Sequence, residues 1–259
     1  MQQDLSTLIA PDPMAEAPEN TPDVVARASF LPLSPVIHPG KPFYLAMQFQ
    51  LADGYRLSWT NPGEVGGKTK VKFRGPEGFE ISEALFPVPT KFQVGGKYEA
   101  YGYEKEVVIF ARVMPPGRLS NQDTFRFDVK AHWLACKKEC VSEDAQAYFE
   151  LTANASVLQE TDPDLAEWLD RLPKSFADRK GAYAKWTRSK LNFALQGVFW
   201  SEFFYANHDG PKILDQGPRG GTYQVNFETP QSHPANVEGV LIGKEDGKDV
   251  AFYVDVEWK

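Results

Sequence analysis

The chain has 259 residues, a formal net charge of −7, 42% hydrophobic and 13% aromatic residues. That length fits one large domain or two smaller ones with real cores. The acidic balance excludes nucleic acid as a partner, and no run approaches the roughly 18 apolar residues of a membrane-spanning helix.

Residues 1–27 lack the positive n-region and apolar core of a signal peptide and are rich in Pro, Ala, Asp and Glu. They are expected to form a flexible arm. The chain is then either cytosolic or a mature fragment whose signal was removed.

From 28 to 153 short runs lie between Gly and Pro punctuation: FYLAMQFQLA (43–52), TKVKFRG (69–75) and TFRFDVKAHWLAC (124–136) alternate, and EVVIFARVMP (106–115) is a longer apolar run. Period two with regular turn signals predicts an all-β sandwich. The pattern changes at TDPDLAEWLDRLP (161–173). Thr161 or Asp162 is placed as N-cap, with Pro163 in the first turn. Leu165, Trp168, Leu169 and Leu172 share one face, so an amphipathic helix is expected, ended by Pro173. SFADRKGAYAKW (175–186) is expected to continue helically, making 154–188 a helical connector. Strands return in KLNFALQGVF (190–199), GGTYQVNFE (220–228), VEGVLIGK (237–244) and DVAFYVDVEW (249–258). Residues 189–259 are expected to form a second, smaller β-domain, and the EDGK turn predicts a closing hairpin.

Both cysteines of the chain, Cys136 and Cys140, lie in HWLACKKECVS (132–142). Three uses suit them. As a staple, the bond closes a very short loop and is worth only about 2 kcal/mol by the chain-entropy relation. As a redox pair, they would face each other across a hairpin with KKE as the turn, within disulfide range for either type of antiparallel pair. Lys137 and Lys138 between them favour thiolate, and Glu139 opposes it; as a bland alternative, the lysines are simply a solvated loop tip. As a metal clamp, His132 shares a strand face with Cys136, so His132, Cys136 and Cys140 offer ligands suited to Cu(I) or Zn, although no fourth ligand is near. A His beside a Trp is more often a surface or packed residue. No phosphate loop, dinucleotide fingerprint, HExxH or GxSxG occurs.

HWLACKKECVSEDA resembles the cysteine segment of the N-terminal periplasmic domains of DsbD-like thiol:disulfide interchange proteins. It is most similar to the suppressor of copper sensitivity protein B branch. DGYRLSWTNPGEVGG (53–67), FPVPTKFQVGGKYEAYGYEKEVVI (86–109) and FFYANHDGPKILDQGPRGG (203–221) resemble further family stretches in the same order. The resemblance implies an immunoglobulin-like first domain. It implies that Cys136 and Cys140 relay electrons from a membrane-embedded domain and a thioredoxin-like domain of the full-length protein. The recipients would be soluble periplasmic thioredoxin-like or disulfide isomerase-like proteins. No cofactor is implied, and the fragment is expected to be periplasmic and monomeric. Family members cover the cysteines with an aromatic cap, and the matching stretch places Tyr101, Gly102 and Tyr103 there. Tyr101 or Tyr103 is expected to shield the pair, Gly102 to supply backbone freedom, and Tyr55 to line the same site. The bland reading has both tyrosines packed in the sandwich. His132, Lys137 and Lys138 are expected to modulate the thiols. Val141-Ser142 follows Cys140 where many relatives carry a proline, and His132 stands where the family is often acidic. The rival function is a periplasmic copper-tolerance module using the same cysteines.

Overall fold

The structure is a computed structural model and describes residues 25–157, 162–228 and 235–258. The arm expected over 1–27 therefore falls, up to residue 24, outside the described residues, as do Thr161 and His233.

Eleven strands form the first unit: β1 (Ala26–Pro32), β2 (Val36–Ile37), β3 (Phe43–Leu51), β4 (Arg56–Gly63), β5 (Lys70–Arg74), β6 (Glu80–Ile81), β7 (Thr90–Val94), β8 (Tyr98–Glu104), β9 (Glu106–Met114), β10 (Thr124–Cys136) and β11 (Cys140–Ala153). They make two sheets. One has the order β1-β3-β9-β6; the other has the order β2-β11-β10-β4-β8-β7, with β5 also paired to β10. Alternation turns Phe49, Leu57, Ile109, Phe127 and Trp133 into the space between the sheets, where all are buried. Phe49 meets Trp133 edge-on at 5.1 Å, and Phe43 meets Phe127 at 5.6 Å. This is the predicted immunoglobulin-like sandwich.

Helix α1 (Pro163–Asp170) is shorter than the predicted span. The Asp162 side chain accepts from the backbone N–H groups of Asp164 and Leu165, an N-cap with Pro at the first turn. Leu165 drops into a cluster with Leu33, Val108 and Phe110 on the outer side of the first sheet.

The expected helical continuation through 175–186 is not found. This stretch holds β12 (Lys174–Ser175), a turn with Gly181 at φ +84°, and the start of β13 (Tyr183–Thr187). Ala184 and Trp186 alternate with exposed Tyr183, Lys185 and Thr187, a period of two that helical faces do not share. KLNFALQGVF likewise divides at Gly197 (φ +84°) into β14 (Lys190–Ala194) and β15 (Val198–Tyr205).

The unit is completed by β16 (Ile213–Arg219), β17 (Thr222–Phe227), β18 (Asn236–Glu245) and β19 (Lys248–Glu257). Its two four-stranded sheets have the orders β12-β19-β18-β15 and β13-β14-β17-β16. The predicted final hairpin is present, with both Asp246 and Gly247 at positive φ.

The two units meet across a packed junction. Phe204 of β15 stacks edge-on against Trp59 (6.2 Å) and Tyr101 (5.2 Å). The Asn61 side-chain amide donates to the Tyr205 carbonyl at 2.7 Å, and Lys91 pairs with Glu202. A cavity of about 770 Å³ lies beside this junction, with Trp59, Val71, Ala131 and Val240 among its walls. No described helix is long and apolar enough to cross a membrane.

Candidate redox site

Strands β10 and β11 pair without interruption from Thr124↔Thr152 to Cys136↔Cys140. The hairpin tip is Lys137-Lys138-Glu139, closed by the Lys137 N–H donating to the Glu139 carbonyl at 3.0 Å. The cysteines are thus the last cross-strand pair. They form a disulfide with Cα atoms 4.0 Å apart. Alternation explains their exposure. Trp133 and Ala135 point into the core and are buried, so Leu134 and Cys136 point outward. Cys136 is half-buried, whereas Cys140, on an edge-proximal strand end, is exposed.

On the other side of β10 the register sets Arg56 of β4 opposite Cys136, and Glu104 of β8 opposite Arg56. These three side chains share one face. The Arg56 guanidinium is engaged: it binds Glu104 at 2.9 Å and lies 4.6 Å from the centre of the Phe92 ring on β7. Lys137 is also held. Its ammonium donates to the Asp53 carbonyl at 2.9 Å and sits 5.6 Å from the Tyr55 ring centre. Gly54 (φ +80°) permits that approach, since a Cβ there would lie 2.9 Å from Lys137 Cε. Lys138 and Glu139 are exposed at the tip.

The expected cap residues are placed differently. Tyr103 lies opposite Leu57 on the core face. Its hydroxyl donates to the Pro87 carbonyl at 2.7 Å, and burial pushes its pKa well above the usual phenol value. Tyr101 is on the same face as Tyr103, against Phe204; its hydroxyl reaches Glu99 at 3.3 Å, and burial, then Glu99, push its pKa up to about 12. Neither tyrosine is brought to the disulfide, because β8 alternation sends Tyr101 and Tyr103 inward and Glu104 outward. The aromatic ring that joins the cysteine face is Phe92, through Arg56. Gly102 is not in the positive-φ region. Its requirement is steric: a Cβ there would collide with the Leu57 carbonyl oxygen. Tyr55 does join the site, through Lys137.

His132 is four residues from Cys136 on β10, about 13 Å along an extended strand. Its Nδ1 is 3.0 Å from Asp144 Oδ1. The triad of His132, Cys136 and Cys140 is therefore not one coordination sphere, and among the described residues no group of three or more His, Cys, Asp or Glu is arranged to hold a metal. Arg56, Glu104 and Phe92 escape the sequence reading because the β10–β4–β8–β7 register, which gathers them, is non-local.

Residues 27–152 match the family model described as "Thiol:disulfide interchange protein DsbD, N-terminal". That segment holds both cysteines and every strand around them. Residues 27–152 belong to the DsbD N-terminal family. No curated protein sequence matches the chain. Among solved structures, the N-terminal periplasmic domain of ScsB from Proteus mirabilis is similar at a TM-score of 0.54 and 15% identity, covering 94% of this chain and 97% of that one. The Neisseria meningitidis DsbD N-terminal domain in its reduced form is 16% identical, covering 48% of this chain and 86% of that one at a TM-score of 0.27. The Escherichia coli chaperone DraB is 8% identical, covering 89% and 98% at a TM-score of 0.27. The ScsB likeness extends over both sandwiches, so the two-unit fold is shared. Family membership and the cysteine pair together make the first sandwich a DsbD-type thiol–disulfide exchange domain.

Proposed function

We propose that this chain is a periplasmic relay that accepts electrons from a membrane-embedded reductase and passes them to soluble thioredoxin-like or disulfide isomerase-like proteins. The observation that carries this reading is the Cys136–Cys140 disulfide at a solvent-facing hairpin tip, where the bond can open with little backbone motion. In the reduced form the Cys140 thiolate, the more exposed sulfur, attacks a partner disulfide. One partner sulfur leaves as thiolate and takes a proton. The Cys136 thiolate then attacks Cys140 Sγ and expels the second partner sulfur, which is also protonated. Two electrons and two protons pass to the partner, and the Cys136–Cys140 bond re-forms. An upstream dithiol reverses these steps and reloads the pair. Among the described residues no helix N-terminus faces the cysteines, so thiolate formation depends on nearby cations.

The test is trapping. Cys136→Ser should accumulate a mixed disulfide between Cys140 and a thioredoxin-like partner, visible on a non-reducing gel. A reduction potential between about −270 and about −120 mV is expected, the range bounded by thioredoxin and the strongest periplasmic oxidants. A potential below about −300 mV, with no trapped complex from either single variant, would return the pair to a structural staple.

A further inference from the structure

The face of the sheet that carries Cys136 continues along β10 through Leu134, His132 and Lys130. The register fixes its neighbours. Lys70 lies opposite His132, Lys72 opposite Lys130, and Arg74 opposite Asp128. On the other side Asp144 lies opposite His132 and Gln146 opposite Lys130. All of these side chains except half-buried Leu134 and Asp128 are exposed. The carboxylates near the strip have closer partners elsewhere: Asp144 has His132, Asp128 has Arg126 at 2.7 Å and feels Arg74 and Lys130 only at longer range, and Asp209 is held by Lys68 and feels Lys70 in the same way. Lys70, Lys72, Arg74 and Lys130 have no carboxylate within ion-pair distance among the described residues.

Four unpaired cations on one face are unexpected in a chain of net charge −7. Lys72 directly across from Lys130 costs stability, because like charges opposed on paired strands repel. Guarding a free sheet edge explains lysines on β5, which pairs only with β10. It does not explain Lys130 on β10, which is flanked by strands on both sides. The strip also begins at the disulfide. With about 3.4 Å per residue, Lys70 and His132 stand about 13 Å from Cys136 and Lys72 and Lys130 about 20 Å, a span that one partner surface covers.

We infer that the outer face of β5 and β10 is the docking surface for an acidic segment of the disulfide-bearing partner. That segment sets an apolar residue beside Leu134 and carboxylates over Lys70, Lys72 and Lys130. This rests on the exchange reading above and adds its substrate preference. Complementary charge acts chiefly on the encounter rate, so the preference is a rate effect that salt removes.

The test uses the reduced full chain and two synthetic peptides. Each carries one cysteine capped as a mixed disulfide with thionitrobenzoate. One peptide has Asp or Glu four and six positions to either side of the cysteine; the other has Gln there. Release of the coloured thionitrobenzoate anion reports reduction. The acidic peptide should react about tenfold faster at low salt, with the ratio collapsing towards one at high salt. Lys70→Glu/Lys72→Glu/Lys130→Glu should abolish the preference and leave the Gln peptide's rate unchanged. The Lys→Gln triple variant, which adds no repulsion, should lower the ratio in the same direction. Equal rates for the two peptides, or a preference that survives both triple variants, overturns the docking surface while leaving exchange intact. Failure to reduce either peptide sinks the exchange reading and the docking surface with it.

Discussion

Reducing the disulfide should leave the first sandwich folded at a modest cost. The bond links residues with a sequence separation of 4, so the closed loop holds five residues. The chain-entropy relation gives about 7 cal/mol/K for such a loop, or about 2 kcal/mol at room temperature. Little packing is added to that figure. Cys136 is half-buried and Cys140 exposed, while Trp133, Ala135 and Leu57 beneath them are buried whether or not the bond exists. By the thermodynamic cycle, the same 2 kcal/mol is the amount by which folding favours the oxidised pair, about 45 mV below the pair in an unfolded chain. Urea unfolding of the oxidised and reduced protein, followed by intrinsic tryptophan fluorescence, measures the first number. Equilibration with glutathione buffers, in folding and denaturing conditions, measures the second. A loss of about 5 kcal/mol or more on reduction, or unfolding on reduction alone, would refute a redox pair carried on an independent core. So would two numbers that disagree by more than the error of extrapolation.

Glu104→Gln should release Arg56 towards Cys136 and remove a nearby negative charge, so that Cys136 of the reduced protein alkylates at lower pH than in the unaltered chain. The pH profile of alkylation checks it, and an unchanged or higher midpoint counts against Arg56 as the local cation. Gly102→Ala should cost roughly 1–3 kcal/mol in urea unfolding, because the added methyl must displace the Leu57 carbonyl rather than a flexible side chain. Phe204→Ala, which empties the contact with Trp59 and Tyr101, should cost about 3–5 kcal/mol and split unfolding into two transitions. Burial holds the Tyr101, Tyr205 and Tyr223 hydroxyls neutral up to about pH 12, while unfolded tyrosine ionises near 10. Stability should therefore stay level below pH 10 and fall above it as only the unfolded chain releases protons, with Tyr101→Phe reducing the slope between 10 and 12.

Local pattern carried most of the fold. Strands β3, β5 and β10 follow from period-two alternation, β9 from its continuous apolar run, and α1 from its Asp-Pro start and apolar face. The hairpin holding Cys136 opposite Cys140 was legible because turn length and strand parity are local properties. The stretch 175–186 misled because Ala, Lys and Arg suit a helix by propensity, while tertiary pairing to β14 overrode it. The site beyond the cysteines was legible only in part. Tyr55 and Lys137 were named and do meet. Tyr101 and Tyr103 were placed on the wrong face, since whether a strand residue points in or out depends on which strand it joins. Arg56, Glu104 and Phe92 sit 80, 32 and 44 positions before Cys136 in sequence, and no local pattern brings them together.

Under the proposed relay, the placement of cations around the sulfurs would keep the pair quiet until a partner arrives. Two of the nearby cations are engaged, Arg56 with Glu104 and Phe92 and Lys137 with the Asp53 carbonyl and Tyr55, while Lys138 is exposed at the tip. In the disulfide state neither has a thiolate to stabilise, so these contacts cost nothing in function. In the proposed relay, a partner docked over the hairpin tip would compete for Lys137 and desolvate Arg56, and each change would turn positive charge towards a sulfur about to become thiolate. The second sandwich enters the same logic through β7. Lys91 points to Glu202 of that sandwich, and the next residue, Phe92, points to Arg56. Tyr101, paired with Lys91, rests on Phe204. The β7–β8 hairpin is thus fastened to the second sandwich by one face while its other face holds Arg56 at the disulfide's side. A loosened junction should then be felt at the cysteines, although no described residue of the second sandwich pairs with them.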